Sequence, residues 1–148
     1  MSVNIAKYMN KSRAIGMVLF YDENLVTVRA YDATNVLSKG DMVIIPEARA
    51  IGVVIKRGCQ PSDLVRGGVP RLTREFREER RKRWGEAMGE AFVYFNEVVL
   101  VGEVNKDDRV RQGIPSEDIE PHDIVAELEP DDIRAFVGDK VMYLSLIH

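Results

Sequence analysis

The sequence predicts a mainly β protein: a small β-barrel of about six to seven strands, with an amphipathic helix inserted near residues 72–90 and a short helix near 131–137. Three observations carry this. Short apolar segments recur through residues 13–57 at roughly ten-residue spacing, separated by turn residues, as in hairpin-linked strands. From Leu72 the hydrophobic period becomes helical. From Phe92 it returns to strand character, so the helix interrupts a β pattern instead of alternating with it.

Arg13–Phe20 (RAIGMVLF) is the first strand, closed by the turn residues Tyr21-Asp22-Glu23-Asn24. Leu25–Ala30 alternates, with Leu25, Thr27 and Arg29 on one face and Val26, Val28 and Ala30 on the other, the period of a half-buried strand. Ser38-Lys39-Gly40-Asp41 is a turn before Met42–Ile45. Pro46 ends that strand because it has no N–H to donate. Arg49–Lys56 (RAIGVVIK) is the fourth strand, closed by Arg57-Gly58. Cys59–Pro70, with two prolines and two adjacent glycines, reads as a connector.

Thr73 suits the N-cap of the inserted helix, although Phe76 stands where a capping box wants Glu. Leu72, Phe76, Trp84, Ala87, Met88 and Ala91 make its apolar stripe, with a gap at Arg80. Phe92–Val104 is a long strand. A turn-rich linker after Lys106 contains Pro115 and Pro121, and Asp123–Leu128 is a last short strand. Pro130 fits a first helical turn and Asp131-Asp132 suit the positive end of its dipole. Val137-Gly138 closes that helix with a left-handed glycine cap. The tail 140–148 is apolar, as a chain cut from something longer or a final strand would be. The whole chain, 1–148, is read as a single barrel-like domain, barrel 13–128 with helix and tail 130–148.

Composition bounds the function. With 45% hydrophobic and 30% charged residues, the chain is ordinary for a globular protein. No apolar run approaches the roughly 20 residues of a membrane helix, and the N-terminus has no apolar signal core, so the expectation is a cytoplasmic protein without a membrane partner. Cys59 is the single cysteine and there are two histidines, which argues against a disulfide and a zinc site. The net charge of −3 is uneven: residues 1–70 carry nine Lys/Arg against six Asp/Glu, and residues 103–148 carry five against twelve.

Few catalytic constellations survive inspection. No P-loop G-x-x-x-x-G-K-[ST] and no G-x-G-x-x-G is present. His122 follows Pro121 in a turn and reads as a solvated loop histidine; His148 is terminal, and neither has a nearby Ser or Cys that the sequence nominates as a nucleophile. Asp107-Asp108, Glu117-Asp118 and Asp131-Asp132 have the oxygen chemistry Mg²⁺ prefers, but read as turn residues and helix N-terminal charge. Glu97, Glu103 and Lys106 share residue types with a restriction-type nuclease, at the wrong spacing and without its upstream Asp. The chain is therefore expected to be no enzyme and to hold no cofactor and no metal.

The basic run Arg71–Arg83 is the strongest functional candidate. On a helix Arg74, Arg77 and Arg81 fall at i, i+3, i+7 and make one basic edge, and with Arg83 they are the candidate contacts for DNA or a partner. The competing reading is a solvated face, since Glu78 with Lys82 and Glu79 with Arg83 are i,i+4 ion pairs. Trp84 reads as a core anchor beside Phe76 and Met88.

Taken in order, these segments resemble the HAS-barrel shared by HerA-type ATPases and the N-termini of rotary ATPase subunits. The similarity is carried by Ile15-Gly16 with Val18, by Leu37 and Lys39-Gly40-Asp41, and by Ile51-Gly52 with Val54. It continues in Val99–Gly102, Pro115, Pro121 and the helix from Asp131-Asp132 to Val137-Gly138. The resemblance implies the non-catalytic N-terminal barrel of an archaeal hexameric DNA-translocating ATPase or helicase. Such a barrel helps assemble the ATPase ring subunits and docks a NurA-type nuclease in DNA end processing and repair. It implies partners rather than substrates: ring subunits, the nuclease, duplex DNA in the parent assembly, and a homo-oligomer. The sequence stops before the family's Walker A segment, so ATP hydrolysis is not assigned to these residues. Two other readings stand beside it. One is a small OB-like nucleic-acid-binding barrel using the basic helix 71–83; the other, a metal-dependent enzyme, needs the acidic clusters to converge.

Overall fold

Among the described residues, seven antiparallel strands are joined in one sheet, and six of them close on themselves. The computed structural model describes residues 2–61 and 92–138. Its strands are β1 (Ala14–Asp22), β2 (Leu25–Ala30), β3 (Met42–Ile45), β4 (Ala50–Pro61), β5 (Phe92–Val104), β6 (Val110–Gln112) and β7 (Ile124–Glu127). The helix α1 spans Pro130–Val137. The sheet order is β2-β1-β7-β3-β4-β5-β6, and β2 also pairs with β5, so the first six strands form a closed barrel with β6 added outside the ring. The mainly β class and the small barrel are as the sequence predicts.

β5 makes closure possible by its length. Its residues 94–99 pair with β2 on one side, and 102–104 pair with β6 farther along that same side. The other side is taken by β4 from Ala50↔Glu103 to Pro61↔Phe92. A strand of 13 residues serves three partners because its pairing edge is divided between two of them.

Two cores result. Val18, Val26, Val28, Val43, Ile45, Val54, Val98 and Val125 fill the barrel. A second core lies against the barrel's outer surface, where Met42, Ile44, Ile51 and Ala126 meet Val3, Ile5, Tyr8 and Phe136. β3 therefore has apolar side chains on both faces and is buried at all four positions. Met42-Val43-Ile44-Ile45 does not alternate because neither face meets water.

The N-terminal turns that cover the second core were not foreseen. Ile5–Met9 and Lys11–Arg13 are short 3₁₀ turns. The side-chain oxygens of Asn4 and Asn10 accept from the backbone N–H of Ala6 (3.2 Å) and Ser12 (3.1 Å), which starts each turn.

Several predicted boundaries are corrected. β4 runs through Cys59 and Gln60 to Pro61, where a connector beginning at Cys59 was expected. Pairing with Phe92–Tyr94 holds those residues extended. β6 lies inside the expected linker, because a three-residue strand carries no readable period. Gly138 has φ 57°, ψ −144°, so the glycine is needed but is not a left-handed helical cap; its N–H donates to Arg134 O at 2.7 Å. The predicted helix 72–90, Arg74, Arg77, Arg81, Arg83 and the tail 140–148 lie outside the described residues.

Candidate docking surfaces

The motif residues meet in space. Gly40 N–H donates to Val54 O and Val54 N–H donates to Asp41 O, both at 2.8 Å. The Lys39-Gly40-Asp41 turn is thereby tied to the Ile51–Val54 strand. Asp41 also caps its own turn, accepting from Ser38 N–H at 2.9 Å. At Gly16 a Cβ would stand 2.2 Å from Arg29 O, so only glycine lets β1 cross β2 there. At Gly102 a Cβ would stand 2.2 Å from the Phe136 ring and 2.7 Å from Arg111 O, so this glycine makes the seat of α1.

A groove crosses the barrel wall left open by the second core. Strand pairing sets Phe20, Thr27, Glu97 and Lys56 in one row across β1, β2, β5 and β4. The register shifts at both ends of this row, between Val18 and Phe20 in β1 and between Val54 and Lys56 in β4. These bulges extrude Leu19 and Ile55, and with Phe20 (59% exposed) they set apolar side chains toward water. The floor holds Thr27, which is buried although it lies on the outward face of β2, with Phe95 and Glu97 beside it. Lys56 and Arg57 line the far side of a cleft of about 430 Å³.

A second cleft, of about 500 Å³, opens between the tip of the β1–β2 hairpin and the loop after β6. Tyr21, Leu100, Ile114 and Pro115 give its apolar surface, and Glu23, Glu117 and Asp118 lie on its rim. The loop is pinned. Gly113 N–H donates to Val101 O, and Ser116 donates from both N–H and Oγ to the buried Glu103, each at 2.8 Å.

Glu103 is the anchor of that loop. Ser116, then Arg111 (2.7 Å), hold its carboxyl below the usual range for a glutamate. A depressed folded value stabilises the fold above the unfolded pKa and is lost as pH falls through the folded one. The loop is therefore expected to loosen below about pH 4.5, seen as faster amide exchange at Ile114–Glu117. In Glu103→Gln the fast exchange should appear already at neutral pH; unchanged protection at acid pH would refute the anchoring role.

A clasp joins the N-terminal turns to α1. Tyr8 is fully buried; its hydroxyl donates to Asp132 and accepts from Glu129 N–H at 3.0 Å. Lys7 Nζ lies 2.7 Å from Asp132 and 2.8 Å from Glu129, and Arg13 also pairs with Glu129. Lys7 and then Arg13 draw the Glu129 carboxyl below its ordinary value.

The other predicted groups are dispersed. Asp107 and Asp108 sit in a turn organised by the Asn105 side chain. Glu117 and Asp118 are on the second cleft, Asp131 is exposed and pairs with Arg134, and Asp132 belongs to the clasp. Among the described residues no three His, Cys, Asp or Glu side chains come together as a metal site. His122 is exposed, with φ 74° and Nδ1 3.5 Å from Met17 Sδ. Glu97 lies on the groove floor and Glu103 on the loop anchor, so they do not share a site. At the two bulges, the residues sequence reasoning missed are Leu19 and Ile55. Their only signal was an apolar run (Val18-Leu19-Phe20, Val53-Val54-Ile55) too continuous for a strand with one wet face.

The fold thus defines a closed six-stranded antiparallel barrel, with the groove and the cleft described above on its surface. Comparison with protein-family models gave no match, and comparison with curated proteins gave none. Among the described residues, no helix is long and apolar enough to cross a membrane.

Proposed function

We propose that this chain is a non-catalytic, cytoplasmic assembly and docking barrel of the kind that begins a HerA-type DNA translocase, working with a partner nuclease in DNA end processing. The observation that carries the docking role is the groove between the two bulges. A closed barrel leaves few backbone edges to recruit a partner, so recognition falls to side chains on its walls. Leu19, Phe20 and Ile55 offer apolar area to a partner, with Lys56, Arg57 and Glu97 to set orientation. The DNA-translocase part of the reading is supported by the order of the motif residues and by α1, which follows the last barrel strand.

In a pull-down with a NurA-type nuclease and HerA-type ring subunits, the wild-type chain is expected to retain one or both. Phe20→Asp with Ile55→Asp should abolish retention while the chain stays folded by circular dichroism, because both side chains are exposed and outside the two cores. A wild-type chain that ignores both partners would sink the proposal.

One observation favours a second reading. Phe20, Phe95, Lys56 and Arg57 put two aromatic rings and two cations on one groove, the combination that stacks bases and follows a single-stranded phosphate backbone. Glu97 on the floor repels phosphate, which places this second. Salt-dependent binding of single-stranded DNA or RNA, lost in Lys56→Glu/Arg57→Glu, would reverse the order.

A further inference from the structure

We infer that the cleft between the β1–β2 hairpin tip and the Gly113–Ile119 loop is the seat of a basic, apolar-anchored segment, and that this segment is residues 71–84 of a second copy of the chain. The inference is independent of the groove reading above.

Ile114 is 74% exposed although its loop is held on both sides, by Gly113 to Val101 and by Ser116 to Glu103, and Ile119 beyond is buried. Its exposure is therefore built in and does not come from a slack loop. Tyr21, 44% exposed, faces the same cleft, so an incoming apolar side chain finds a wall on either side. Around it stand Glu23, Glu117 and Asp118, with Asp22 and Glu120 next to them in the chain. Among the described residues no cation pairs with any of these five carboxylates. An apolar slot inside an unneutralised acidic rim selects a ligand with apolar anchors between several cations.

The chain's own sequence contains such a ligand. Residues 71–84 carry seven Lys/Arg against three Glu, with Leu72, Phe76 and Trp84 among them. Reach argues for a neighbouring copy. Pro61 pairs with Phe92 at one end of the β4–β5 hairpin, and Leu100 lines the cleft eight residues farther along β5, about 27 Å at strand rise. From Trp84 back to Phe92 is also eight residues, at most about 28 Å fully stretched. Seating the whole segment within one chain, with Trp84 at the cleft, would need that return leg drawn taut. A second copy has no such limit, and because cleft and segment are different surfaces the contact is head-to-tail.

The test is sedimentation of the full chain at low and high salt. Wild type is expected to self-associate at low salt and to dissociate as salt rises. Glu117→Lys/Asp118→Lys and, separately, Arg77→Glu/Arg81→Glu should each weaken association by about tenfold or more, at unchanged thermal stability for the exposed cleft pair. Mixing the two variants should restore it, since each then presents the charge the other needs; a variant that merely misfolds would not be rescued. A synthetic peptide of residues 71–84 should compete with wild-type self-association. A wild-type chain monomeric at low salt, or association indifferent to both variants, would overturn the inference. So would a monomer in which only the Arg77→Glu/Arg81→Glu variant takes up the peptide, since its own segment then fills the cleft.

Discussion

Gly102→Val is expected to destabilise the protein by about 3 kcal/mol, at the upper end of overpacking costs, and to lower its melting temperature by about 10 °C. Even the first added carbon meets the Phe136 ring at 2.2 and 2.5 Å and Arg111 O at 2.7 Å. The ring belongs to α1 and the carbonyl to β6, so relief on one side tightens the other. Urea unfolding measures the effect. Combining Gly102→Val with Phe136→Ala separates the two contacts: with the ring gone, part of the clash goes too, and the double variant should lose less than the sum of the singles. A wild-type midpoint for Gly102→Val would mean that α1 is not seated on this strand.

Asp132→Ala is expected to cost about 2–3 kcal/mol, because it leaves the buried Tyr8 hydroxyl without its acceptor and the Lys7 ammonium with Glu129 alone. Tyr8→Phe keeps the ring and removes the hydroxyl, at about 1–2 kcal/mol. Burial, and then the hydrogen bond to Asp132, push the Tyr8 hydroxyl up to about 12, and Asp132 raises Lys7 above its ordinary value. Groups raised on folding stabilise fully below their unfolded values. Stability should therefore hold to about pH 10 and fall as pH rises toward 12. Tyr8→Phe should flatten part of that fall. A variant that keeps the full alkaline loss would remove Tyr8 from the account.

Much of the barrel was legible because it is local. Val26, Val28 and Ala30 are buried on the face that alternation assigns to the core. β5 begins and ends at the predicted residues, Phe92 and Val104, bounded by the change of period before it and the Asn105 turn after it. α1 begins at Pro130, where the first helical position tolerates a missing N–H.

What escaped depends on partners distant in the chain. Val3, Ile5 and Tyr8 show no strand or helix period, since they are spaced to meet Ile44, Ile51 and Phe136. Asp132 was read as a charge answering the helix dipole, because nothing near it in sequence points to Tyr8 or Lys7. The groove was invisible for the same reason. A bulge is a mismatch between two strands, and no single strand records it.

By itself, then, the sequence determined the mainly β class, the longer strands and the helix from Pro130, and which face of the alternating strand Leu25–Ala30 turns inward. Those outcomes follow from backbone preferences and burial over a few residues. Only the tertiary structure decided that β2 closes the ring against β5, that a second core forms outside the barrel, and that two bulges fall on one row. Each of these is a pairing of segments far apart in the chain, selected by the apolar surface they bury together.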